Sequence, residues 1–120
     1  MSDALILVGH GSRSGQADDV LPYYAELFRA TGDYEEVLTC YLEKEPGVSG
    51  CLDRVKARRV FVMPLLLARG HHTDVTIPGA MSIGSRHCFI GDKEVFYLEP
   101  LGRSELIFRL ILERINEVKD

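Results

Sequence analysis

The sequence predicts an α/β fold: one doubly wound, four-stranded parallel sheet between two helix layers, a three-layer αβα sandwich. Three observations carry this expectation. Strand-like and helix-like segments alternate in the order β-α-β-α-β-(α)-β-α. The strand segments are continuously apolar rather than alternating, the pattern of strands covered on both faces. The 120 residues bury roughly two-thirds of their unfolded surface, enough for one core, so a single domain over residues 1–120 is expected. Right-handed crossovers then make the sheet doubly wound, with the common strand order 2-1-3-4 expected.

Residues 4–8, Ala-Leu-Ile-Leu-Val, form the first strand, which stops at Gly9. A glycine-rich loop follows, Gly9-His10-Gly11-Ser12-Arg13-Ser14-Gly15. Asp18 and Asp19 offer N-cap oxygens and Pro22 fits a first turn, so a helix with Val20, Tyr24, Leu27 and Phe28 on its inner face begins there. Gly32 ends it as a C-cap. Residues 37–42 read as the second strand, broken by Pro46-Gly47, and about 48–57 as a short helix. The third strand, residues 59–67, is the most apolar stretch of the chain. Residues 68–78, rich in His, Asp and Thr, read as a long loop, and residues 79–87 as a weak or irregular helix. Residues 95–98 form the fourth strand, closed by Pro100. Ser104 caps a last helix that is apolar around more than one face, which a helix covering one sheet does not require.

Composition narrows the function. Hydrophobic residues make up 46% and charged residues 27%, and no run approaches the roughly 20 apolar residues of a membrane helix. The net charge of −4 argues against a general nucleic-acid binder. Its distribution is uneven: residues 1–53 hold 10 acids and 3 bases, residues 54–120 hold 8 acids and 11 bases. A local basic pocket is therefore still compatible with an acidic whole. The opening apolar run lacks a basic n-region and a small-residue cleavage site, so it is expected to be a first strand rather than a signal peptide. Cys40, Cys51 and Cys88 are odd in number and lack C-x-x-C spacing, so reduced thiols in a cytoplasmic protein are expected.

In an open α/β sheet, ligands bind beyond the carboxyl ends of the strands where strand order reverses, here between strands one and three. His10 follows strand one, and His71 and His72 follow strand three. Glu43 ends strand two on the same edge. Two imidazoles and a carboxylate suit a divalent transition ion. They also suit proton transfer near neutral pH, since an imidazole ordinarily titrates at about 6.5. Two other chemistries fit poorly. The G-x-G-x-x-G spacing of a dinucleotide site is broken, because position 14 is Ser and the third glycine falls at Gly15. No G-x-S-x-G elbow is present for a serine hydrolase.

Four segments in order resemble one family: Leu7-Val8-Gly9-His10-Gly11-Ser12-Arg13, Tyr41-Leu42-Glu43 with Pro46, Pro64 to Pro78 with its Arg69-Gly70-His71-His72, and Glu99-Pro100-Leu101-Gly102. They are similar to the small-form class II chelatases, the sirohydrochlorin cobaltochelatase (CbiX) family. The resemblance implies a flavodoxin-like half of a chelatase and, as activity, ATP-independent insertion of a divalent metal into sirohydrochlorin or a related tetrapyrrole of the cobalamin or siroheme type. Co2+ is the favoured metal substrate, with Ni2+ or Fe2+ possible, and no nucleotide is needed. The family pattern selects His72 over His71, so His10, Glu43 and His72 become the metal-handling and catalytic residues. Ser12, Arg13, Arg69 and His71 become substrate-binding residues, with Arg103 as a further cation for the substrate's carboxylates. The family often carries an acid before the Ile-Pro pair, where this chain has Thr76. A homodimer is implied, because the family's long form joins two homologous halves. The alternative is a non-catalytic binder of metal or tetrapyrrole.

Overall fold

A computed structural model describes residues 2–11 and 20–119. Its strands are β1 (Asp3–Gly9), β2 (Glu36–Tyr41), β3 (Arg59–Pro64), β4 (His87–Ile90) and β5 (Lys93–Tyr97). Its helices are α1 (Leu21–Thr31), α2 (Ile77–Met81) and α3 (Glu105–Val118). A single 3-10 turn (Leu52–Arg54) and a wide π turn (His72–Thr76) complete the described elements.

The sheet runs β2-β1-β3-β5-β4. The first four are parallel and keep the expected 2-1-3-4 pattern, while β4 pairs antiparallel to β5 at the edge. The expectation of four strands is thus corrected to five. The segment read as a weak helix at 79–87 is responsible: α2 ends at Met81, Ser82 takes a left-handed φ of 60°, and His87 opens β4. A tight turn at Gly91, φ 61°, folds β4 onto β5.

Side chains of β1 alternate between two cores. Ala4, Ile6 and Val8 face Val60, Val62, Ile77 and Met81, whereas Leu5 and Leu7 face Leu21, Ala25 and Val37. Burial on both faces explains why this strand is an unbroken apolar run. Helix α1 closes the second face, with Pro22 in its first turn and Gly32 as its left-handed cap. Its inner row is Leu21, Ala25 and Phe28, at spacings of four and three. Val20, Tyr24 and Leu27 instead face outward, a shift of the expected stripe. The caps expected at Asp18 and Asp19 lie outside the described residues.

Three more expectations are corrected. The helix expected over residues 48–57 is one 3-10 turn, because Gly50 at φ 76° breaks the register just before it. The third strand stops at Pro64, which has no N–H to give to the β5 side, although Leu65 N–H still donates to Val8 O at 2.7 Å. Part of the long loop at 68–78 is helical from His72 onward. Ser104 caps α3 as expected, accepting from the Leu106 N–H at 3.1 Å. Yet no residue of α3 is buried, so it does not serve as a covering layer of its own sheet.

Arg59 and Asp3 lock the base of β1 to β3 through two hydrogen bonds of 2.8 and 2.9 Å. The bond from the guanidinium holds the Asp3 carboxyl below its ordinary value, against the opposing effect of burial. A depressed folded pKa adds stability that is present above the unfolded value and lost as pH falls through the folded one. Urea denaturation of wild type and Asp3→Asn therefore shows a gap near neutral pH that closes as pH drops below about 4.

Candidate metal and proton site

The site grows from the carboxyl ends of β1, β2 and β3. At the end of β1 two backbone bonds tie it to the chain leaving β2: Leu42 N–H donates to Gly9 O and Glu43 N–H to His10 O, both at 3.0 Å. This pairing sets Glu43 beside His10, and His10 Nδ1 lies 3.3 Å from Glu43 Oε2. Gly11 then turns the chain at φ 75°. A Cβ there would lie 3.0 Å from Tyr41 Cβ and Lys44 Cγ, so glycine lets the loop pass close to the end of β2.

His72 arrives from the other side of the crevice, on the wide turn after β3. Its ring meets that of His10 edge-on, with centroids 5.5 Å apart and planes at 66°. Two imidazoles bound to one tetrahedral ion through bonds of about 2.0–2.1 Å would bring their centroids to about 5 Å. His72 Nδ1 also lies 3.3 Å from Thr76 Oγ1, one turn along. The residue that stands where the family often has an acid therefore contacts the histidine ring through its hydroxyl. Wide helical turns of this kind recur at functional sites.

Not every expected residue joins this group. His71 is exposed, with its ring 6.4 Å from that of His72. Ser12 and Arg13 lie outside the described residues. Arg69 pairs with Asp74 at 3.3 Å on the surface. It lines a cavity of about 780 Å³ whose walls include Leu67, Pro100, Leu101 and Arg103. Arg86, unplaced by sequence, bonds to the carbonyls of Tyr97 and Leu98 and pairs with Glu99 at 2.8 Å. The fourth histidine, His87, is away from the site; it stacks on Phe96 and contacts Glu94 at 2.7 Å. Among the described residues, no three His, Cys, Asp or Glu side chains form a ready-made metal cage. The grouping is a pair of facing imidazoles with a carboxylate behind one and a hydroxyl behind the other.

Comparison with known proteins fits this frame. Fold and site define the class, an open α/β domain of the chelatase type. The chain belongs to the CbiX family, whose model matches residues 4–118. It is 29% identical over 136 residues to the sirohydrochlorin cobaltochelatase of Methanopyrus kandleri, covering 95% of each chain. It is 32% identical over 121 residues to the sirohydrochlorin ferrochelatase of Priestia megaterium, covering 96% of this chain and 44% of that one. Among solved structures, SirB from Bacillus subtilis with Fe3+ superposes with a TM-score of 0.81 at 25% identity, over 100% of this chain and 48% of SirB. This chain thus spans nearly all of the Methanopyrus protein and about half of the other two.

Thr76 is tested directly. Removing the hydroxyl with Thr76→Val takes away the contact at His72 Nδ1 and, if His72 handles the metal, is expected to weaken Co2+ binding by about 10-fold or more. Titration of the purified variant with Co2+ measures the change.

Proposed function

We propose that this protein inserts a divalent transition metal, Co2+ in the first place, into sirohydrochlorin or a close tetrapyrrole relative, without ATP. The observation that carries the reading is the edge-on meeting of the His10 and His72 rings, 5.5 Å between centroids, beyond the paired strands β1 and β3. Membership of the CbiX family and the names of its relatives supply the substrate class.

Metal insertion must deliver an ion and remove two pyrrole protons. His10, contacted by Glu43 at Nδ1, keeps Nε2 for the ion or for a proton. His72, contacted by Thr76 at Nδ1, likewise keeps Nε2. Glu43 stabilises the imidazolium that forms when His10 takes a proton. A site made of two imidazoles holds the ion without enclosing it, which suits a protein that must surrender its metal to the ring. The large cavity beyond β3 and β5 sets the guanidiniums of Arg69 and Arg103 among apolar walls, with Glu99 on its rim drawn to Arg86, and the two cations suit a macrocycle edged with carboxylates. Ser12, Arg13 and His71 remain candidates for the same substrate contacts.

The proposed working form is a homodimer of single-domain chains. In α3, Leu106, Phe108, Leu110, Ile111, Ile115 and Val118 are all 42–85% exposed. On the same side of the sheet as α1, beyond the strands β1 and β2 that α1 covers, Phe61 stacks on Phe96 at 5.1 Å and Phe96 on His87 at 4.6 Å, with Phe89 68% exposed. A second copy covers both surfaces. Among the described residues no helix is long and apolar enough to cross a membrane. The free thiols of Cys40, Cys51 and Cys88 suit a reducing cytoplasm.

The test is to mix the purified protein with sirohydrochlorin and Co2+, Ni2+ or Fe2+ and follow the ring absorbance. Acceleration over the spontaneous reaction is expected, strongest with Co2+. Binding of metal or tetrapyrrole without acceleration by any of the three would make the protein a carrier rather than an enzyme.

A further inference from the structure

The turn that carries His72 is held by a substitute donor. At the end of the wide turn His72–Thr76 the N–H of Ile77 reaches back five residues, to the His72 carbonyl. The next donor in that register would be the N–H of residue 78, serving the Thr73 carbonyl. That residue is Pro78, which has none. Thr73 is 2% exposed, so bulk water does not fill the place. Its hydroxyl is already engaged with the N–H and C=O of Gly70, at 2.8 and 3.1 Å.

The missing donor comes from another element. Tyr97, at the end of β5, donates its phenolic O–H to Thr73 O at 2.5 Å. Its ring is covered by the Arg86 guanidinium at 5.2 Å, and only 6% of the residue is exposed. Burial pushes the Tyr97 phenol up to about 12, so the proton it donates stays in place around neutral pH.

We infer that Tyr97 is a positioning residue for His72: its hydroxyl replaces the N–H that Pro78 lacks, ties the first helical turn to β5, and so fixes the direction of the His72 ring. Tyr97 acts through the Thr73 backbone, next to His72 in the chain. The inference rests on the reading of His72 as a metal-handling group.

Backbone chemistry supplies the test, because Pro78→Ala returns the missing N–H. Tyr97→Phe is expected to lower Co2+ affinity by about tenfold, and adding Pro78→Ala to recover most of that loss. In a His72→Ala background, Tyr97→Phe is expected to change Co2+ affinity by less than about twofold. General loosening of the fold would weaken both backgrounds alike. Hydrogen exchange of the Ile77 amide, which needs neither metal nor tetrapyrrole, should speed up in Tyr97→Phe and slow again on adding Pro78→Ala. That readout separates failure of this inference from failure of the chelatase reading, which the activity of wild type decides. Unchanged Co2+ affinity in a folded Tyr97→Phe protein, or equal losses in both backgrounds, overturns the inference. If Tyr97→Phe alone does not fold, Pro78→Ala/Tyr97→Phe decides: folding with affinity near that of Pro78→Ala supports it, and failure to fold overturns it.

Discussion

His10→Ala is expected to slow metal insertion by at least about 100-fold, the lower range for loss of a positioned proton-transfer group. His10 is the member of the site that contacts both others, Glu43 through Nδ1 and His72 through its ring. Alanine removes a metal donor and a proton acceptor together, and leaves Glu43 with no imidazolium to stabilise. Stability should hardly change. The His10 side chain is 54% exposed, and substitutions at such positions ordinarily move stability by about 0.5 kcal/mol or less. The rate is read from the change in sirohydrochlorin absorbance with Co2+, and the fold from a thermal melt of the same sample. A variant that melts with wild type yet works at the wild-type rate would remove His10 from the mechanism.

Leu110→Asp/Ile111→Asp is expected to turn a dimer into a monomer in sedimentation equilibrium and to lower activity with it. At 100° per residue, the apolar side chains of α3 spread over roughly two-thirds of its circumference. A helix lying on one sheet needs a stripe little wider than about 100°. The remaining arc calls for a second surface, which a neighbouring copy offers. Its own body does not occupy α3, since none of the helix is buried and the molecule extends 56 Å along one axis and only 31 and 27 Å along the others. The radius of gyration, 15.4 Å, exceeds the roughly 14 Å of a compact chain of this length. Two carboxylates placed in that apolar contact must give up their hydration for it to form. They are expected to weaken association by about 1,000-fold or more, or ~4 kcal/mol. A double variant that remains dimeric would show that α3 is not the contact.

Much of the frame was legible because burial on two faces leaves a strong mark. The runs at Leu5 to Val8 and Val60 to Val62 could be read as central parallel strands from composition alone, and the crossover crevice followed from their order. Other parts obeyed signals that sequence carries only weakly. The antiparallel strand at His87 is short and half-exposed, so it shows neither an apolar run nor a helical stripe. The helix at His72 hides behind residues of poor helical propensity and a proline that in an α register ends helices. Only the wide turn and the hydroxyl of Tyr97, 24 residues away, accommodate it, and no local pattern announces a contact across that separation. The inner face of α1 was displaced by one residue because Tyr24 and Leu27 look like core residues, whereas small Ala25 is what lets the helix lie close to the sheet. At the site, topology alone brought His10, Glu43 and a histidine after β3 to one edge. Choosing between His71 and His72 took the family pattern; in the structure the ring that meets His10 is that of His72. Thr76 departs from the family pattern in sequence, and its hydroxyl lies 3.3 Å from His72 Nδ1.

The central claim is that His10 and His72 hold the same ion. X-ray absorption of the Co2+-loaded protein tests it most directly, since scattering from imidazole rings counts the histidines bound. The account predicts two imidazoles at about 2.0–2.1 Å, falling to one in His72→Ala. One imidazole or none in wild type, or a count unchanged by His72→Ala, would contradict it.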